Sequence, residues 1–206
     1  ELGARTVVLS GPSFAREVAQ GHPTNVVAAA LDERLAQDVQ HIFSLGRLRV
    51  YTSGDPIGVQ VAGALKNVIA IAVGASDGLG LGNNTRAALI TRGVSEVARL
   101  AAAKGGQPLT VAGLAGLGDL ILTCTGDLSR NRTVGFELGR GRALVDVLAS
   151  LGHVAEGVTT AKSAHDLAQR LGVELPICSQ VYAVLYGDRT PESAVEELLS
   201  RPLKRE

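Results

Sequence analysis

The alternation of apolar and polar positions divides the chain into two unlike parts. Up to residue 53, short apolar runs alternate with amphipathic stretches. Thr6-Val7-Val8-Leu9, Thr24-Asn25-Val26-Val27-Ala28 and Arg49-Val50-Tyr51-Thr52 predict strands. Between them, Phe14 to Gln20, ended by Gly21, and Asp32 to Ser44, capped by Asp32, predict helices. A β-α-β-α-β order predicts a parallel or mixed sheet layered with helices. Three strands without the usual first half read as the end of a doubly wound domain. Beyond Asp55-Pro56 the strand signals vanish. Ala- and Leu-rich stretches predict helices over roughly 56–78, 84–104, 108–123, 130–139, 142–151, 157–171, 176–186 and 191–200. Gly105-Gly106, Gly126, Gly139, Gly141, Gly152, Gly172 and Gly187 stand where helix C-caps are expected. Thr190-Pro191-Glu192 reads as a helix start with proline at the first position. The expected fold is mainly α: an all-helical domain over 55–206, preceded by the last β-α-β elements of an α/β domain over 1–54.

Composition narrows the function. Hydrophobic residues make up 46% of the 206, enough for a sizeable core, and 20 basic residues balance 20 acidic ones. No global field therefore draws the chain to nucleic acid or anionic membrane, and neither partner is expected. No apolar stretch of about 18 residues is free of charge or broken by glycine, so no stable membrane insertion is expected. The two cysteines, Cys124 and Cys178, imply no disulfide framework and point to a reducing cytoplasm. The chain has no Met and opens inside a strand-like run, Glu1 to Leu9, which predicts a piece of a longer protein. His22, His41, His153 and His165 have no metal-ligand spacing, and no metal site is expected. The glycines in 78–82 and 116–118 do not complete a Gly-x-Gly-x-x-Gly, so no dinucleotide fingerprint is present.

Four segments carry candidate chemistry. Lys66 lies in Val61-Ala-Gly-Ala-Leu-Lys-Asn-Val-Ile-Ala-Ile-Ala-Val73, where its neighbours at helical spacing, Ala62, Gly63, Ile69 and Ala70, are all apolar. An ammonium in such a place loses hydration unless something pairs with it, and desolvated lysines are how proteins obtain a base near neutral pH. The plainer alternative is a lysine that snorkels to solvent. Asp119, in Gly113-Leu-Ala-Gly-Leu-Gly-Asp-Leu-Ile-Leu-Thr123, is an equally isolated carboxylate with Thr123 on its face; it serves either a ligand or the neutralisation of Lys66. Ser129 starts a new helix in Ser129-Arg-Asn-Arg132, where free N–H groups, the dipole and Arg130 together suit an anion, although a solvated helix start looks the same. Leu9-Ser-Gly-Pro-Ser-Phe-Ala15 is a strand-to-helix turn of the kind that faces the ligand crevice at the ends of parallel strands, with Ser13 read from the residues alone as an N-cap.

Together these segments resemble the bacterial NAD(P)-dependent glycerol-3-phosphate dehydrogenases. The resemblance rests on 9–18, on Gly63-Ala-Leu-Lys-Asn-Val-Ile-Ala70, on Arg86-Ala-Ala-Leu-Ile-Thr-Arg-Gly93, on 113–126 and on Ser129-Arg-Asn-Arg132, all in order. The departures are small: Asn83 and Thr85 stand where Asp and Ala are expected. The resemblance implies that residues 1–54 are the remnant of a Rossmann-type nucleotide-binding domain and 55–206 the substrate-binding domain. It implies Lys66 as the proton acceptor for the C2 hydroxyl of sn-glycerol 3-phosphate, and as the donor to dihydroxyacetone phosphate, with Asp119 beside it. Gly11, Ser13, Ser129, Arg130 and Asn131 would line the substrate, with Asn67 and Thr123 near the same site. Ala15, Arg130, Val154 and Glu156 would touch NAD or NADP, held mainly by the absent half. It further implies a cytoplasmic homodimer feeding phospholipid synthesis, with this piece alone inactive. Two other readings fit the residues: another two-domain dehydrogenase acting on a β-hydroxy acid, and a non-catalytic helical dimerisation module.

Overall fold

The computed structural model describes residues 6–152 and 154–203; the first five residues of the opening strand-like run and His153 lie outside them. The first part holds β1 (Val8–Ser10), α1 (Ala15–Ala19), β2 (Thr24–Ala29), α2 (Glu33–Phe43) and β3 (Leu48–Ser53). The strands form one sheet in the order β1-β2-β3. The β2–β3 pair is parallel, Val26 opposite Val50, as expected. The β1–β2 pair is antiparallel, with Val8 opposite Ala29 and Ser10 opposite Val27. The sheet is thus mixed, and the turn after β1 opens beside the N-terminal end of β2, not at the C-terminal ends of parallel strands. The residues of α2 follow the expected cap, since Asp32 accepts from the Arg34 N–H at 2.9 Å.

The second part is helical: α3 (Pro56–Gly78), α4 (Gly82–Ala103), α5 (Pro108–Val111), a π-helical turn (Leu114–Gly118), α6 (Asp119–Thr125), α7 (Arg130–Gly139), α8 (Leu144–Leu151), α9 (Glu156–Leu171), α10 (Pro176–Tyr186) and α11 (Pro191–Leu199). A mainly α fold after a short α/β piece is as the sequence predicts. The single helix expected over 108–123 is instead three pieces. Gly113 is extended there, and Gly116 packs so closely on the Val111 carbonyl that a Cβ would overlap it. Gly152 and Gly172 end their helices with left-handed residues, as glycine allows.

Helix α3 is the axis of the bundle. Val68, Ile69, Ala70 and Val73 have no exposed surface. By length and mean hydropathy, 1.6, α3 is apolar enough to cross a membrane, which the reading of the sequence did not anticipate. Two-thirds of that stretch, 67%, is buried by its neighbours, as befits a core helix. Asp55 caps its start with Oδ1 on the Gly58 N–H and ties down α5 with Oδ2 on the Gln107 N–H, both at 2.8 Å. Burial pushes the Asp55 carboxyl up, but these N–H groups outweigh it and hold the group below the usual range. Helices α9 and α10 begin without a cap of their own and borrow one from a neighbour. For α10 the cap comes from α4: the buried Glu96 accepts from the N–H groups of Ile177 at 2.6 Å and Cys178 at 3.1 Å.

The tightest contact is between α3 and α7. A Cβ on Gly74 would strike the Arg132 carbonyl, on Gly78 that of Phe136, on Gly135 that of Ile71 and on Gly139 that of Ala75. The partners advance in the same direction on both helices, so α3 and α7 run parallel and touch backbone to backbone. Gly139 is therefore an interlocking residue within α7 and not the cap that its position suggests. Gly135→Ala should cost about 3 kcal/mol or more, at the upper end of overpacking penalties, because rigid backbone must move. Gly54→Ala, which meets open space, should change stability by less than about 0.5 kcal/mol. Urea denaturation of the two variants checks this, and equal stabilities would contradict the interlock.

Candidate active site

Lys66 projects from the middle of α3 towards α6. Its Nζ donates to Asp119 Oδ2 at 2.6 Å, across 53 residues of sequence. The side chains differ in exposure: 23% for Lys66 and 3% for Asp119. The lysine thus keeps an open side on which a ligand can stand, while its partner is enclosed. Asp119 is the first residue of α6, which continues directly from the π-helical turn. The π-helical turn before it swings the chain so that this residue faces α3. One turn on, Thr123 Oγ1 donates to the Asp119 carbonyl oxygen at 2.6 Å and lies 3.4 Å from Asp119 Oδ1. Burial pushes the Asp119 carboxyl above the usual range, against the Lys66 ammonium, the Thr123 hydroxyl and the Gly11 N–H, each of which favours the ionised form. Lys66 has the partner that a charge on an apolar helix needs, and the plain snorkel does not describe it. It is ion-paired and half-buried.

Gly11 is brought to the same carboxylate by the turn after β1. Its φ of 144° suits glycine, and a Cβ would approach Val26 Cα to 2.9 Å and the Asn25 carbonyl to 3.0 Å. Ser13 is not a helix cap. Phe14 occupies the N-cap position of α1, and the Ser13 hydroxyl donates back to the Gly11 carbonyl at 2.9 Å. The reason is that the turn is one residue longer than the serine reading requires. Ser13 and Ala15 are exposed, and the Phe14 ring packs beside Gly126, so the start of α1 adjoins the loop that leads into α7.

Ser129 caps α7 as the sequence predicts, accepting from the Arg132 N–H at 3.2 Å. Arg130, the first residue of α7, is exposed. Asn131 and Asn67 are both buried, and their amides bond to one another: Asn131 Nδ2 donates to Asn67 Oδ1 at 2.9 Å. Asn131 Oδ1 then accepts from the Gly157 N–H at 2.9 Å, capping α9, which has no cap of its own. A Cβ on Gly157 would lie 2.7 Å from both Asn131 Oδ1 and the Asn67 carbonyl oxygen. This chain of contacts sets the starts of α7 and α9 beside the residue next to Lys66. Val154, 70% exposed, and the exposed Glu156 stand at the start of α9. Exposed Arg130, Val154 and Glu156 thus offer a cation, an apolar surface and a hydrogen-bond acceptor at two adjoining helix starts, a donor set that fits one end of a dinucleotide.

Sequence reasoning missed Asp77. It lies at the end of α3, where no sequence motif singles it out, yet its side chain is 5% exposed and pairs with Arg86 and Arg132 at 2.9 Å each. Arg132 therefore faces the bundle. Cys124 and Cys178 are buried free thiols, as expected. Burial, with Asp77 nearby, pushes the Cys124 thiol up to about 12, which leaves it inert.

Comparison with known proteins decides the family. The sequence profile described as NAD-dependent glycerol-3-phosphate dehydrogenase C-terminus matches residues 55–196, and that of the N-terminus matches 1–36. The chain belongs to the NAD-dependent glycerol-3-phosphate dehydrogenase family. Within the family it is 60% identical over 205 residues to a glycerol-3-phosphate dehydrogenase [NAD(P)+] of Syntrophobacter fumaroxidans, covering 100% of this chain and 60% of that protein. It is 61% identical to the protein of the same name from Geobacter sulfurreducens, covering 97% and 59%. The crystal structure of glycerol-3-phosphate dehydrogenase from Coxiella burnetii superposes with a TM-score of 0.92 at 46% identity, over 95% of this chain and 60% of that one. The chain thus spans about 60% of the length of the curated relatives it matches.

The geometry makes one statement about pH. Because burial raises the folded value of Asp119 above its unfolded one, ionising it costs stability. Its favourable contribution is fully present below the ordinary carboxylate value of 3.8 and is lost as pH rises through the raised value. A carbon-13 titration of the Asp119 carboxyl should give a midpoint above the ordinary value, and Lys66→Ala should raise it further by removing the ammonium. A midpoint at or below the ordinary value, or one indifferent to Lys66→Ala, would contradict this.

Proposed function

We propose that the chain supplies the substrate-binding part of an enzyme that interconverts sn-glycerol 3-phosphate and dihydroxyacetone phosphate. On this reading residues 1–54 end a nucleotide-binding domain and 55–206 bind the substrate. The observation that carries it is the half-buried Lys66, held at 2.6 Å by the enclosed Asp119 and set beside the start of α7 by the Asn67–Asn131 bond. A proton-transfer group and an anion-suited helix start adjoin, which is what a phosphorylated alcohol needs.

The substrate phosphate lies against the first turn of α7, where Arg130 supplies charge and the dipole its positive end. Ser129, Asn131, Gly11 and Ser13 shape the surrounding wall. The C2 oxygen stands at Lys66 Nζ. In the direction of reduction the ammonium donates its proton to the ketone oxygen; in the reverse direction the amine takes the hydroxyl proton. Asp119 fixes the position of the nitrogen throughout, and Thr123 steadies Asp119. Ala15, Arg130, Val154 and Glu156 would hold one end of NAD(H) or NADP(H), whose chemistry would be hydride exchange at C2. The family resemblance extends the reading to a cytoplasmic homodimer, and the two buried free thiols suit a reducing compartment.

In the full-length enzyme Lys66→Ala should lower kcat by roughly 10²–10⁴-fold, the usual scale for a general acid–base group. Dinucleotide affinity should stay unchanged, as followed by fluorescence titration. Near-normal turnover would make Lys66 a structural partner of Asp119 alone.

A further inference from the structure

Asp77 lies about three turns beyond Lys66 on α3, outside the site described above. Both of its oxygens are engaged. Oδ2 accepts from Arg132 Nε at 3.1 Å and Nη2 at 2.9 Å, and Oδ1 accepts from Arg86 Nε at 2.9 Å, with Arg86 Nη2 also at 2.9 Å. Such two-pronged pairing fixes direction as well as distance. Arg132 is in the first turn of α7, and its own N–H is the one that the Ser129 hydroxyl caps. One residue is therefore held through its backbone by Ser129 and through its side chain by α3. Arg86 adds α4 as a third wall. The remaining contact of Arg132, Nη1 to Asp127 Oδ1 at 3.4 Å, goes to a side chain that is 98% exposed and holds little.

We propose that Asp77 is a positioning residue for anion recognition: by holding Arg132 it fixes the first turn of α7, and so the place where Arg130 and the turn's N–H groups meet the substrate phosphate. The proposal rests on the reading of the α7 start as the phosphate end of the site. Asp77 touches neither substrate nor cofactor. It acts through Arg132.

The test compares kcat and KM for dihydroxyacetone phosphate and for unphosphorylated dihydroxyacetone in the full-length enzyme. Asp77→Asn, which loses the carboxylate charge, should raise KM for the phosphorylated substrate by roughly 2–30-fold, the range of indirect couplings. Its kcat should change little, and kcat/KM for dihydroxyacetone should stay within about twofold of wild type. Asp77→Glu should recover part of the loss. If Asp77→Asn folds poorly, Arg132→Lys keeps the charge but not the two-pronged grip, and the same split is expected. Proportional losses on both substrates, or no loss on either, would overturn the proposal. Arg130→Ala separates it from the reading beneath it. If Arg130→Ala abolishes discrimination between the two substrates while Asp77→Asn leaves it intact, only the positioning role fails. If Arg130→Ala leaves discrimination intact, the phosphate does not bind at α7 and both fail.

Discussion

Four glycines, Gly74 and Gly78 on α3 and Gly135 and Gly139 on α7, let two parallel helices meet backbone to backbone, and everything at the site is measured from that contact. Any side chain at these positions would push the helices apart. The interlock fixes register along the helices, so Asn131 lies level with Asn67 and the start of α7 level with Lys66. Glycine inside a helix costs roughly 0.5–1 kcal/mol relative to alanine. The chain bears that cost four times in one interface, which is intelligible only if close approach is worth more.

Around this contact, buried polar groups bind separate elements together. Asn131 caps α9, Glu96 caps α10 and Asp55 ties α3 to the start of α5. Each reaches an N–H that its own helix leaves unsatisfied, and an unsatisfied buried donor costs about 1–3 kcal/mol. Burial has a visible electrostatic price for Glu96, whose carboxyl is pushed up by desolvation against the two N–H groups and Arg99. The Lys66–Asp119 pair follows the same logic with a different outcome. The carboxylate is enclosed and the ammonium is left accessible, so the pair is both held and usable.

Much of this was legible in the residues. Lys66 stood out because a charge on an apolar helix needs a partner, and Asp119 because it was the matching charge in the next apolar run. Helix boundaries followed glycines, prolines and caps closely. The direction of β1 was not legible, since a run as short as Val8-Leu9-Ser10 pairs equally well either way and only a long-range contact chooses. The break within 108–123 was hidden because its glycines also read as room for a neighbour. Gly139 looked like a helix end, and its partner Ala75 lies 64 residues away in sequence. Asp77 was missed for the same reason: nothing near the end of the helix expected over 56–78 marks it, and only the packing of α4 and α7 reveals two arginines upon it.

The central claim is that the α3–α7 contact assembles a proton-transfer end at Lys66 and a phosphate end at the start of α7 into one site. A crystal structure of the full-length protein with sn-glycerol 3-phosphate tests it directly. The account predicts the C2 oxygen within hydrogen-bonding distance of Lys66 Nζ and the phosphate on Arg130 and the first turn of α7. A phosphate bound away from α7, or a C2 oxygen out of reach of Lys66, would contradict it.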